Sequence, residues 1–204
     1  MERDELEREE RYLEGGSFEV RAKEGGEGSV LVGFPIVFGS RSVELGDFVE
    51  EVHPDAVDRS LEEDDWVALF NHRSDLILGR KSSGTARFEV VKQGSTRGVR
   101  MEVDLPDTSV GRDMPVLVGR RDVKGGSFGF GTRRDEFRTL EDGRKLRTLL
   151  EIKVFDLGPV TFPAYPATDV AMRSLEAWEQ RQAEAEAWKV AADRRGREID
   201  LLAL

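Results

Sequence analysis

The chain has 204 residues, a formal net charge of −10, two histidines and no cysteine. This composition excludes disulfides, thiolate metal sites and a cysteine nucleophile, and leaves a multi-histidine zinc site nearly without ligands. It also argues against general nucleic-acid binding, which needs a basic face for phosphates.

No run of 18 apolar residues marks a membrane span, and the acidic start MERDELEREE lacks the apolar core of a secretory signal, so no membrane role is expected. Residues 1–14 are charged throughout, as in a frayed helix or an unordered segment. EGGSFEVRAKEGGEGS alternates glycine with short polar pieces and reads as an edge strand with turns. SVLVGFPIVFG, residues 29–39, is rich in valine and aromatics and predicts a buried strand. A short helix is expected near Pro54 to Leu61. DWVALFNH gives another apolar strand that ends at His72. ARFEVVKQGSTRGVRMEVDL reads as a hairpin around QGSTRG. DTSVGRDMPVLVGRRD predicts a helix capped by Asp107, Thr108 or Ser109. EFRTLEDGRKLRTLLEIKVFDLG gives a second hairpin turning at EDG, and the two prolines of VTFPAYPATD end regular pairing.

Beyond about Asp169 the texture changes to alanine, glutamate and arginine. Leu175, Trp178, Gln182, Ala185, Trp188 and Ala192 recur at helical spacing, weakly interrupted at Gly196. Two readings are open: a helix packed on its own domain, or a surface for self-association or a partner, because Trp178 and Trp188 are costly to leave in water. The expected organisation is a charged segment at 1–16, a β-rich domain at 17–170 and an amphipathic helix at 171–204.

Chemistry points to KGGSFGFG. Four glycines surround Ser127 and remove side chains that would keep a substrate backbone away. The competing reading is a glycine-rich strand packed tightly against a neighbour. Neither an α/β-hydrolase elbow nor a nucleotide P-loop is expected. Hydrolysis by serine needs an imidazole and a group that orients it. His72, at a strand end in LFNHRSD, suits a general base. His53, among the carboxylates of EEVHPDA, suits it poorly, because neighbouring acids favour its charged form. Among 41 acidic residues, Glu151 lies inside the strand-forming run LRTLLEIKVF. Simple alternation turns it outward, unless a partner holds it inward.

GFPIVFGS, DFVEEVHPDAVDRSL, VALFNHRSDLILGR, GGSFGF and LRTLLEIKVFDLGPVTFPAYP, in this order, resemble the prohead serine proteases of tailed phages. That family is distantly similar to the herpesvirus capsid maturation protease. The resemblance spans about residues 17–173. It implies a mainly β fold with peripheral helices (α+β), built as a closed or nearly closed β-barrel, plus a C-terminal helix. It implies Ser127 as nucleophile, His72 as general base and Glu151 as the group orienting the imidazole. Gly126, Phe128 and Gly158 would form an oxyanion or substrate loop, although Pro159 has no N–H to give. The closing motif often reads Glu-Val-Ser in the family and here reads Asp156-Leu157-Gly158-Pro159. No metal or organic cofactor is implied. The implied substrates are the major capsid protein, the scaffold and the protease itself, inside a prohead assembling in the host cytoplasm, with self-association through the C-terminal helix. The alternatives are a catalytically inactive scaffold or capsid-assembly module on the same fold, or a small esterase using the same serine.

Overall fold

The computed structural model describes residues 6–13, 18–94, 96–162 and 169–202. The chain divides into two units, residues 1–166 and 167–204. The first unit contains two sheets. One has the order β1 (Glu9–Leu13), β9 (Gly125–Thr139), β10 (Lys145–Val160), β5 (Val67–Leu69) and β6 (Ile77–Arg80), with β4 (Phe48–Val52) also paired to β10. The other is an antiparallel sheet in the order β2 (Phe18–Ala22), β3 (Ser29–Val37), β8 (Thr96–Asp104) and β7 (Ala86–Gln93).

The frame of the first sheet is the long β9–β10 hairpin. It turns at Glu141-Asp142-Gly143, where Gly143 takes φ 85°, a conformation that favours glycine. β10 pairs with β9 along one edge. Along the other it runs parallel to β4 over its first half and to β5 near its end. The gap between those two short strands is filled by α1 (Asp58–Glu63). There the Ser60 hydroxyl accepts from the Val154 amide at 2.8 Å and from Trp66 Nε1 at 3.0 Å, so the interrupted ladder leaves neither donor unpaired. α2 (Ser109–Gly119) is capped by Thr108, whose hydroxyl accepts from the Gly111 amide. Leu31, Ile36, Trp66, Met101, Met114, Phe128, Phe130 and Leu157 belong to one buried core that draws on both sheets.

Two expectations are corrected. The sheets do not close into a barrel. β3 approaches β9 where Gly126 faces Pro35, but no ladder joins them among the described residues. Pro35 has no N–H to donate, and β3 shifts register between Gly33 and Ile36, so its edge cannot continue the first sheet. The charged N-terminal segment is neither helical nor unordered over residues 9–13. It forms strand β1, antiparallel to β9.

The second unit is α3 (Asp169–Leu202), which continues through Gly196. Residues 163–168, with both prolines of VTFPAYPATD, lie outside the described residues. No helix among the described residues is long and apolar enough to cross a membrane.

Candidate active site

β9 brings Ser127 to the middle of the first sheet, opposite Gly158 of β10 on one side and Tyr12 of β1 on the other. The sequence GGSFG matches the Gly-x-Ser-x-Gly spelling of a nucleophile elbow. The strand nevertheless runs straight through the serine, with no helix following, so no elbow forms. Along β9, Gly125, Ser127, Gly129 and Gly131 alternate with Gly126, Phe128 and Phe130. Phe128 and Phe130 point into the core and stack at 5.0 Å.

His72 arrives from the loop between β5 and β6. Asn71 and His72 have φ of 54° and 55°, and the Arg73 amide donates to the Phe70 carbonyl at 3.2 Å. Two consecutive left-handed residues are what the centre of a type I′ turn requires, and asparagine tolerates that region better than most residues. Asn71 also fastens the turn to the end of β10. Its amide donates to the Pro159 carbonyl (3.1 Å), its side-chain oxygen accepts from the Thr161 amide (2.8 Å), and its Nδ2 donates to Thr161 Oγ1 (3.2 Å). In the sequence, the signal for this role is the Asn-His pair itself.

The fastened turn aims the imidazole at the serine. His72 Nε2 lies 2.6 Å from Ser127 Oγ, and His72 Nδ1 lies 2.5 Å from Asp156 Oδ1. The side chains of His72 and Asp156 are 10% and 5% exposed, and Ser127 has no exposed surface. In a site this dry, charge interactions are much stronger than in water.

The carboxylate on the far side of the ring is therefore Asp156, and the expectation for Glu151 is corrected. Glu151 Oε1 accepts from Arg59 at 3.2 Å and lies 3.7 Å from Arg133. Glu151 faces outward, as simple alternation has it; the register shift between Val154 and Asp156 is what turns Asp156 to the serine face although Val154, two residues earlier, lies in the core. A signal for Asp156 was present: it opens the Asp-Leu-Gly-Pro piece that stands where the family often has Glu-Val-Ser.

Of the remaining residues named from sequence, Gly126, Phe128 and Gly158 lie beside Ser127 on the β9–β10 ladder, and His53 lies away from it, its amide bonded to the Leu149 carbonyl. Gly126 and Phe128 belong to a strand with ladder partners on both sides. Gly158 packs so closely on β5 that a Cβ would fall on the Leu69 carbonyl oxygen. His53 sits in a turn before α1 and its Nδ1 accepts from the Asp55 amide. A depression of about 220 Å³ beside the serine is lined by Glu10, Asn71, His72, Ser127, Val160, Thr161 and Phe162, the last 79% exposed. Among the described residues no group of three or more histidine or acidic side chains is placed to hold a metal ion.

The N-terminal segment supplies further contacts that sequence reading missed. Ser127 Oγ donates to the Arg11 carbonyl at 2.8 Å, and the Arg8 guanidinium meets Asp156 Oδ2 at 2.6 Å. On the opposite face of β1 lies a buried ionic cluster. Arg11 reaches Glu50 at 2.7 Å and Glu9 at 2.8 Å, while Arg147 reaches Glu9 at 2.8 Å, Glu50 at 2.9 Å and Asp135 at 2.7 Å. Burial alone would raise the Glu9 carboxyl, but hydrogen bonds and charge from Arg147, with the charge of Arg11, hold it down at about 2. The same acids raise the Arg147 guanidinium despite its burial.

A hydroxyl, an imidazole and a carboxylate linked in this order form the constellation used by serine peptidases. Comparison by sequence narrows the class: the chain belongs to the caudovirus prohead serine proteases, whose family model matches residues 16–181. Among solved structures, the bacteriophage T4 capsid assembly protease, gp21, is similar at a TM-score of 0.48 and 11% identity, covering 78% of this chain and 100% of that one. No curated protein matches the sequence.

Proposed function

We propose that the chain is a serine endopeptidase in which Ser127 is the nucleophile, His72 the general base and Asp156 the group that orients the imidazole. The observation that carries this reading is the continuous path Ser127 Oγ, His72 Nε2, His72 Nδ1, Asp156 Oδ1, with links of 2.6 and 2.5 Å. His72 takes the hydroxyl proton as Oγ attacks a peptide carbonyl, and later delivers it to the leaving amine. Asp156 holds the ring in the tautomer that leaves Nε2 free to accept, and stabilises the imidazolium. Oxyanion donors contribute about 3 kcal/mol each. We assign them to backbone amides near Ser127, with Gly126, Phe128 and Gly158 as the candidates. Asn71 is a positioning residue, since it fixes the turn that carries His72.

Membership of the prohead protease family supports capsid and scaffold proteins as substrates, together with the protease itself, cleaved inside the assembling prohead. α3 is the element assigned to self-association, supported by Trp188 and Val190, which are 68% and 63% exposed. The deciding experiment expresses the wild type and Ser127→Ala beside the cognate capsid protein and follows all chains by intact mass. Truncation with the wild type alone is expected. No truncation by either, with shells assembled, would transfer the assignment to an inactive assembly module.

A further inference from the structure

We infer that the edge of β9 opposite β10 is a groove for extended peptides, and that the chain's own segment Leu6–Leu13 is its resident occupant, holding the site inactive until it is displaced. This rests on the serine-protease reading above.

Three contacts carry the inference. β1 lies antiparallel to β9, with Tyr12 directly opposite Ser127. That is how an added strand binds a sheet edge, with main-chain bonds for affinity and alternate side chains for specificity. Its side chains then fill the space that the glycines leave. A Cβ on Gly125 would strike the Tyr12 ring, one on Gly129 the Arg8 guanidinium, and one on Gly131 the Leu6 side chain. The glycine pattern around the serine therefore fits a peptide strand, and the chain itself now provides one.

The second contact concerns the serine proton. Ser127 has a single hydroxyl hydrogen, and Oγ lies within bonding distance of both the Arg11 carbonyl oxygen and His72 Nε2. When that hydrogen goes to Arg11, Nε2 must donate to Oγ, the reverse of what a general base does. The third contact is Arg8 on Asp156 Oδ2. A cation there draws on the carboxylate whose charge would stabilise the imidazolium. One segment thus covers the nucleophile, competes for its proton and pairs with the orienting acid.

The segment also stands apart. β1 precedes residue 16, where the family match begins, and it forms the edge of its sheet. Its inward side chains, Glu9 and Arg11, carry opposite charges, so their joint departure leaves the net charge of the buried cluster unchanged. What remains, Arg147 with Glu50 and Asp135, keeps the charge the cluster had before and defines the ligand class: an extended peptide with a carboxylate and a guanidinium two residues apart.

The test uses the full chain. Arg8→Glu/Arg11→Glu sets like charges against Asp156, Glu9 and Glu50 and expels the strand. The readouts are the rate at which a fluorophosphonate labels Ser127, and binding of a fluorescent peptide LEREERYL to Arg8→Glu/Arg11→Glu/Ser127→Ala by anisotropy. A minor open state is populated at about 0.1–10%, so release is expected to speed labelling about 10- to 1,000-fold. Added peptide should slow it again. Equal or slower labelling in a folded variant that does not bind the peptide would overturn the groove and leave the protease standing. No labelling of either chain, with peptide bound only by the released variant, would refute the protease and leave the groove. Hydrogen exchange on the wild type covers the case of a variant that does not fold. Amides of β1 and of residues 125–131 should open more readily than the rest of β9 and β10, and protection equal to the rest would overturn the proposal.

Discussion

On the second sheet, Arg87 reaches Asp104 at 3.3 Å and Glu102 at 3.5 Å across the β7–β8 hairpin, and Arg100 reaches Glu89 at 2.8 Å. Beneath β1 on the first sheet, Arg147 and Arg11 make the same kinds of pair with Glu9 and Glu50. The Arg87 side chain is 51% exposed and that of Arg147 is 1%. The difference in water decides what each set does. The exposed pairs gain little beyond what solvent already gave their charges, so they tune a hairpin that hydrophobic burial already holds. The buried cluster is the opposite: its members have no water to fall back on, and each is secure only while the others are present.

The comparison extends along β10, where Asp156 is dry and bonded to His72 while the Glu151 side chain is 28% exposed and bonded to arginines. Asp156→Asn is expected to lower kcat by about 10⁴, by favouring the wrong imidazole tautomer. Glu151→Gln should change it by no more than a few-fold. Steady-state cleavage of one peptide by both variants checks this, and equal effects would abolish the distinction between the two acids.

Next in size is Arg147→Met, which leaves three acids, Glu9, Glu50 and Asp135, around Arg11 alone and should cost about 3–5 kcal/mol in stability. Denaturant unfolding would read it directly.

The pH dependence of unfolding sharpens the same point. Glu9 is held at about 2 in the folded chain against an ordinary 4.5. A depressed folded value means stability that is fully present above pH 4.5 and is lost as the pH falls toward 2, roughly 3 kcal/mol in all. Glu9→Gln should flatten the stability profile in that window, and an unchanged slope would locate the acid sensitivity elsewhere. The smallest effect is expected for Arg87→Ala, under about 1 kcal/mol and shrinking with added salt. A loss as large as that of Arg147→Met would erase the contrast between the sheets.

Much of this architecture was legible in the chain. Valine-rich runs, EDG and QGSTRG gave the strands and both hairpins, because period-two patterning and turn residues act locally. Ser127 and His72 stood out through their neighbours. Asp156 did not, because the bulges of β10 break the alternation from which faces are counted. β1 was hidden for another reason. EREERYL has the composition of a solvated helix, and only its pairing with residues more than a hundred positions away makes it a strand. The open barrel was equally distant from any local signal, resting on Pro35 and one register shift in β3.

Gly158 carries a consequence at the level of the gene. Its missing side chain lets the Leu69 carbonyl lie against β10, and the turn that presents His72 begins at the very next residue, Phe70. Every single-base change in a glycine codon that alters the residue adds at least a Cβ. No such change at this position can therefore be absorbed without moving β5, so the spacing of base and nucleophile is guarded by one codon that has no conservative missense neighbour.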